Sequence, residues 1–214
     1  MEEMATEFMK EKQIFKKIQT HPNIVECLGF GFDKRRNFIV MEHMQMDLAK
    51  IVKKDELRDQ LTYESLLEIF LDIANGLLHL SEHRVVHYDL KPSNVLLQIE
   101  ANRYHAKVAD FGVSELVART TVTARAKGTW GFMAPEVFDQ QFVNKKARVD
   151  GKKIDVFSFG RVMLSCIMGQ YPGNGNEFDD SLAPEKLMGL VHQCESLNYR
   201  DRPKWTNIVN ENGK

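Results

Sequence analysis

The stretch HYDLKPSN, residues 87–94, decides how this 214-residue chain is read. It follows the apolar pair Val85 and Val86 and precedes Val95, Leu96 and Leu97. Three ionisable groups and an asparagine packed between two apolar strands would be costly to bury unless they serve a site. DFG (110–112) follows another short strand-like piece, HAKVAD (105–110), and sets a second acid beside the first region. Gly112 lets the backbone turn sharply just after that acid. GTWGFMAPE (128–136) ends on an acid in apolar surroundings, which calls for a buried cation. Arg202, in RDRP (200–203), is the candidate.

Outward from these loops, periodicity sorts the chain into helix and strand. Residues 3–19 read as a helix, with Met4, Phe8, Glu11, Phe15 and Ile18 on one stripe. HPNIV (21–25) breaks it, and VECLGFGF (25–32) and NFIVMEHM (37–44) read as strands. From Asp47 the chain turns helical. Leu66, Leu67, Ile69, Phe70, Ile73, Ala74, Leu77 and Leu78 give the spacing of a long amphipathic helix. VVH (85–87) and NVLLQI (94–99) are strand-like, and helices are expected near 155–168, 184–194 and 203–210. The first of these is apolar on nearly every side, so it should be buried all round. The basic stretch NKKARVDGKK (144–153) reads as a solvated insertion.

Composition bounds the function. With 43% hydrophobic and 28% charged residues, the chain suits one globular domain. A net charge of −1 offers no basic field for nucleic acid or an anionic membrane. No apolar run approaches the ~20 residues that span a bilayer. The charged start MEEMATEFMKEKQIF is unlike a secretory signal. Cys27, Cys166 and Cys194 lie far apart and read as reduced core thiols, so a cytoplasmic (or nuclear) location is expected.

Taken together, the segments resemble the protein kinase signature set. HYDLKPSN resembles the catalytic loop H-R-D-L-x-x-x-N, followed in order by D-F-G and A-P-E. DVFSFG (155–160) resembles the start of the family's buried central helix, and RDRP its late arginine motif. Five motifs in the right order and context are specific where one alone would mean little. GTWGFMAPEVF with VHQCESLNYRDRP is similar to the tyrosine-kinase-like group of Ser/Thr kinases. The resemblance implies an α+β, protein kinase-like two-lobe fold. Residues 1–46 would be a partial N-lobe (the helix carrying Glu11, two strands and the hinge), and residues 47–214 a mostly helical C-lobe with the catalytic and activation loops.

The resemblance also implies roles, position by position. Asp89 matches the catalytic acid that receives the substrate hydroxyl's proton, and Lys91 the cation beside the transferring phosphoryl. Asn94 and Asp110 match the residues that hold Mg²⁺, whose partners are hard oxygen atoms. Met41, Glu42 and Met44 fall where kinases hold the adenine of ATP, and Asp47 resembles the acid that meets the ribose. Leu96 and Glu11 complete the nucleotide-binding set. Thr129 matches the threonine beside the catalytic acid, as suits a protein Ser/Thr substrate. His87, the pair Glu136 and Arg202, and Asp155 match architectural positions. Asp155 is expected to cap its helix and to tie the catalytic loop from below. Glu11 lies on an apolar stripe and calls for a cation, which in kinases is the lysine of strand three.

Three departures stand out. No G-x-G-x-x-G and no V-A-I-K precede Glu11 in this sequence. The interval from Pro172 to Arg202 is short for the helices kinases carry there. Tyr88 stands where most kinases have arginine. Two readings follow: a Ser/Thr kinase whose chain starts late or is a fragment of a larger one, or a pseudokinase-like binding or scaffold module. Without the phosphate-covering loop and its lysine, the 214 residues alone are expected to work at least ~10⁴ below an ordinary kinase.

Tyr88 carries no charge with which to clamp a phosphate. In any form of the protein that transfers phosphate, replacing Thr120, Thr121 and Thr123 together with alanine is therefore expected to leave the rate within a few-fold of wild type. A loss approaching a hundred-fold, rescued by aspartate at one of the three, would overturn this.

Overall fold

The periodicities resolve into short elements arranged around two long helices. The computed structural model describes residues 2–33, 36–101, 103–118, 121–171 and 179–212. Chain order begins α1 (Glu2–Ile18), β1 (Cys27–Phe32), β2 (Asn37–Met41), β3 (Met46–Asp47), α2 (Leu48–Lys53), α3 (Asp55–Arg58) and α4 (Tyr63–Glu82). After it come β4 (Val85–Val86), β5 (Val95–Glu100), β6 (Arg103–Val108), β7 (Glu115–Leu116) and β8 (Thr121–Thr123). The remainder is α5 (Pro135–Phe138), α6 (Gln140–Val143), β9 (Arg148–Asp150), α7 (Gly151–Met168), α8 (Glu185–Cys194) and α9 (Trp205–Asn212).

The two long helices form the body's centre. At the start of α4 the Thr62 hydroxyl accepts from the Ser65 N–H at 3.1 Å, satisfying one of the amides a helix start leaves bare. From there Ile69, Phe70, Ile73, Ala74, Leu77 and Leu80 line the buried face. Helix α7 is buried on all sides through Ile154, Val156, Phe159, Val162, Met163 and Leu164. Phe159 stands edge-on to Phe70 of α4, with ring centres 6.5 Å apart, and at 5.6 Å from Trp205 of α9. A left-handed glycine, Gly169 (φ 67°), ends α7.

Strands β3, β5 and β6 form an antiparallel sheet in the order β3-β5-β6, with Leu97 opposite Ala106. The HPNIV turn locks α1 to that sheet. Val25 N–H donates to Val108 O at 3.0 Å, and Val108 N–H to Asn23 O at 2.9 Å. Helix α4 also rides against this turn, since a Cβ on Gly76 would come within 2.5 Å of the Asn23 carbonyl. Ile14, Phe15 and Ile18 of α1 join the same core as α4, β5 and β6. Of the stripe expected on α1, Phe8 and Phe15 pack on Phe30 of β1; the side chain of Met4 lies outside the described residues. On the β1–β2 pair, Leu28, Phe32, Phe38, Val40 and Met41 remain exposed.

Two expectations are corrected here. The basic stretch 144–153 is not a solvated insertion: Arg148–Asp150 pairs with Thr121–Thr123, with Val149 opposite Val122, and both valines are buried. The Arg148 guanidinium meanwhile donates to the Thr121 hydroxyl at 2.9 Å. Because this strand runs straight into α7, the helix starts at Gly151 and its cap is Asp150, which accepts from Lys152 N–H at 3.0 Å. Asp155 therefore sits one turn inside the helix and does not cap it. Among the described residues after Tyr171, one ten-residue helix, α8, precedes Arg202.

Arg202 is fully buried and pairs with Glu136 through two parallel bonds, Nη1 to Oε1 at 2.6 Å and Nη2 to Oε2 at 2.8 Å. Its remaining donors reach Ser196 O at 2.9 Å and Lys153 O at 2.8 Å, and its cation lies 4.9 Å from the centre of the Phe157 ring. This one side chain therefore ties α5 to α7 and to the turn ahead of α9. Arg202→Ala is expected to cost about 3–5 kcal/mol, because it strands a buried carboxylate. A melting midpoint lowered by roughly 10 °C is expected. Replacing both partners, Glu136→Leu with Arg202→Met, should recover a large part of that loss. An unchanged midpoint for Arg202→Ala would refute the assignment.

Candidate active site

The loop after β4 hangs from α7. The Asp155 carboxylate accepts from His87 N–H (2.8 Å) and Tyr88 N–H (2.9 Å). Burial pushes this carboxyl up to about 7, and the two N–H bonds pull against that rise. With its backbone held there, Tyr88 takes a left-handed φ of 68°, which turns the chain just before Asp89. His87 is wholly buried behind the loop. Its Nδ1 accepts from Asp89 N–H at 3.2 Å, so it is Nε2 that donates to Ala109 O at 3.0 Å. Burial lowers the His87 pKa, and both bonds fit the neutral ring. Ser114 adds a third tie by donating to His87 O at 3.0 Å.

The Asp89 carboxylate is the meeting point of three side chains. Thr129 Oγ1 donates to its Oδ1 at 2.6 Å; Lys91 Nζ reaches its Oδ2 at 2.8 Å and Thr129 Oγ1 at 2.7 Å. Asn94 Nδ2 donates to Asp89 O at 2.8 Å and more distantly to Oδ2 at 3.3 Å. A carboxylate offers about four acceptor directions, and these bonds use three of them, two on Oδ2 and one on Oδ1. One direction on Oδ1 is left for a further donor.

Asp110 follows β6 with a left-handed φ of 65°, and its Oδ1 accepts from Gly112 N–H at 3.2 Å. Phe111 behind it is fully buried, edge-on to Phe15 of α1 at 5.1 Å and to His87 at 5.6 Å. Glu11 reaches this turn from α1. Its pKa is raised by burial first and by Asp110 and Glu7 besides, while a hydrogen bond from the Phe111 backbone lowers it. Among the described residues Glu11 has no ion-pair partner.

The residues expected around the nucleotide divide. Leu96 is half-buried on β5, with Asp47 opposite it on one side and Lys107 on the other. Met44 is half-buried and Met41 exposed. Two side chains are engaged in the architecture. Asp47 Oδ1 caps α2 by accepting from Lys50 N–H at 3.0 Å. Both oxygens of Glu42 meet Lys107 Nζ, at 2.7 and 2.8 Å, and one also accepts from Glu26 N–H at 2.7 Å. Sequence reasoning missed Lys107, whose signal was only a lone lysine at a polar position of a strand. It missed Ser114 as well, two residues beyond DFG.

The donor set fits a hard cation. With Asn94 Nδ2 committed to Asp89, its Oδ1, which accepts one long bond from the Ser93 hydroxyl at 3.4 Å, keeps a lone pair for a cation, and the exposed Asp110 carboxylate supplies a second oxygen. Among the described residues no cluster of three or more His, Cys, Asp or Glu could hold a metal unaided. One or two side-chain oxygens completed by phosphate and water is how Mg²⁺ is usually bound.

Comparison with known proteins agrees with this geometry. A family model described as the protein kinase domain matches residues 1–212. The chain is 36% identical over 233 aligned residues to the rust resistance kinase Lr10 of Triticum aestivum, covering 89% of this chain and 35% of that protein. It is 34% identical to cysteine-rich receptor-like protein kinase 28 of Arabidopsis thaliana, with 88% and 27% covered. To the serine/threonine-protein kinase VIK of Arabidopsis thaliana it is 30% identical, with 95% and 49% covered. The chain thus spans between about a quarter and a half of these relatives. By motif order, by site geometry and by the extent of the match, this chain belongs to the protein kinase family.

Proposed function

We propose that the chain transfers the γ-phosphoryl group of ATP to serine or threonine hydroxyls of proteins. The observation that carries this reading is the closed arrangement of Asp89, Lys91 and Thr129, with all three links between 2.6 and 2.8 Å. Asp89 takes the incoming hydroxyl on the one acceptor direction its partners leave and receives its proton as the new P–O bond forms and the bond from the γ-phosphorus to the bridging oxygen breaks, with ADP as the leaving group. Lys91, already against the carboxylate, lies where a cation offsets charge on the transferring group. Thr129 fixes the carboxylate's orientation, so that the hydroxyl is aimed and not merely attracted. Asn94 and Asp110 would hold Mg²⁺, which neutralises phosphate charge when bound. Backbone groups of Glu42 and Met44, with the Leu96 side chain, would meet the adenine, because the Glu42 carboxylate is committed to Lys107. Asp47 keeps one oxygen beyond its capping bond for a ribose hydroxyl.

A cytoplasmic setting is part of the proposal. Its support is three free cysteines, two of them buried with their thiol pKa pushed upward by burial.

The test is label transfer from γ-³²P-ATP and Mg²⁺ to a generic protein substrate, with enzyme in excess because the rate expected of these 214 residues is low. Label should appear on phosphoserine and phosphothreonine, and Asp89→Asn should lower it by ~10³ or more. Thr129→Val should cost roughly ten-fold, because it misaims the carboxylate without removing it. Transfer that survives Asp89→Asn would refute the assignment. ATP binding without any transfer would turn the reading to a binding module.

A further inference from the structure

Tyr88 occupies an unusual position in this site. Its backbone hangs on Asp155, yet its ring belongs to a second hydrophobic cluster with Val122, Ala124, Val137, Val149 and Ile154. The side chain is buried, and its hydroxyl has no hydrogen-bond partner among the described residues. An orphaned buried hydroxyl is a cost, so the ring must earn the position. Over that ring, 4.7 Å from its centre, stands Lys127 Nζ, which also donates to Glu115 Oε1 at 3.0 Å. Glu115 lies on β7, directly opposite Val86 on β4, the strand that leads into the catalytic loop.

The next two residues continue the engagement. Gly128 has φ 112°, and a Cβ there would come within 2.3 Å of the Tyr88 carbonyl, so backbone presses on backbone. Thr129 then donates to Asp89. Three consecutive residues thus meet the Tyr88 ring, the Tyr88 carbonyl and the Asp89 carboxylate in turn.

We propose that Lys127, held between the Tyr88 ring and Glu115, is the positioning residue that docks segment 127–129 on the loop bearing Asp89, a tie built from side chains in place of one made to an added phosphate. The inference rests on the phosphoryl-transfer reading for its purpose, though not for its test. Burial, with Arg125 and Lys10 nearby, pulls the Lys127 ammonium down to about 8, so it still carries its proton at neutral pH. A partly desolvated ammonium over an aromatic face gains more than an exposed one. Glu115 anchors it from the side and is shared with the Arg125 guanidinium.

Amide hydrogen exchange on the 214-residue protein tests this without phosphoryl transfer, so either proposal can fail while the other stands. Lys127→Met should speed exchange of peptides covering 127–131 and 88–90 about ten-fold, with peptides from α4 and α7 unchanged. Lys127→Arg should restore wild-type exchange, because a guanidinium also stacks on the ring and bonds the carboxylate. Tyr88→Phe should match wild type, whereas Tyr88→Leu should behave like Lys127→Met, and the double variant Tyr88→Leu with Lys127→Met should be no faster than either. If Tyr88→Leu does not fold, the comparison of Lys127→Met with Lys127→Arg decides. Wild-type exchange in Lys127→Met would overturn the proposal. So would failed rescue by arginine, or equal acceleration in α4 and α7, which would make Lys127 a general support of the fold.

Discussion

The site depends on one buried carboxylate. Asp155 lies inside a helix surrounded by apolar side chains, and its two oxygens are used for two consecutive backbone amides of the loop above. Those amides have no strand partner, and leaving them bare in the interior would be expensive. The acid thereby converts the rigidity of α7 into a fixed backbone at His87 and Tyr88. The left-handed turn at Tyr88 and the placement of Asp89 follow from that anchoring. Without it, the Asp89, Lys91 and Thr129 links would join mobile partners and hold nothing in place.

A second constraint is that each charge is set against the fold in a different way. Glu136 and Arg202 are sealed from water and compensate one another, so their contribution is architectural. Asp89 and Lys91 are paired at the edge of the body, where a third molecule can still reach them. Glu11 stands between these cases. It is drawn into the turn beside Phe111 and raised by burial, and the neighbouring Asp110 adds to its cost. A cation between Glu11 and Asp110 would relieve both acids at once.

Much of this was legible in the chain. HYDLKPSN, DFG and APE mark the loops because polar residues at fixed spacing interrupt apolar strands, a pattern with few physical explanations. The long helices α4 and α7 were readable from their apolar periods. What failed was read from charge alone. Residues 144–153 look solvated because they are basic, yet the single valine at 149 finds Val122 across a strand pair and decides the structure. Asp155 looks like a cap because it precedes the most apolar run, whereas the cap is Asp150, the last residue of a strand no local signal announces. What was not legible at Glu42 and Asp47, expected at the nucleotide, is that their carboxylates also meet Lys107 and the start of α2, partners set by tertiary contacts that spacing does not carry.

The β1–β2 pair has a consequence for how the molecule behaves in bulk. Leu28, Phe32, Phe38, Val40 and Met41 give one end of the surface a concentration of apolar side chains on a two-stranded ladder. Across the whole chain the charges nearly cancel, leaving −1 at pH 7 and an isoelectric point near 6.7. Long-range repulsion is therefore weakest where the apolar end attracts most. Concentrated solutions near neutral pH should turn cloudy first and clear as the pH is moved away in either direction, a colloidal property written by five exposed side chains of one strand pair.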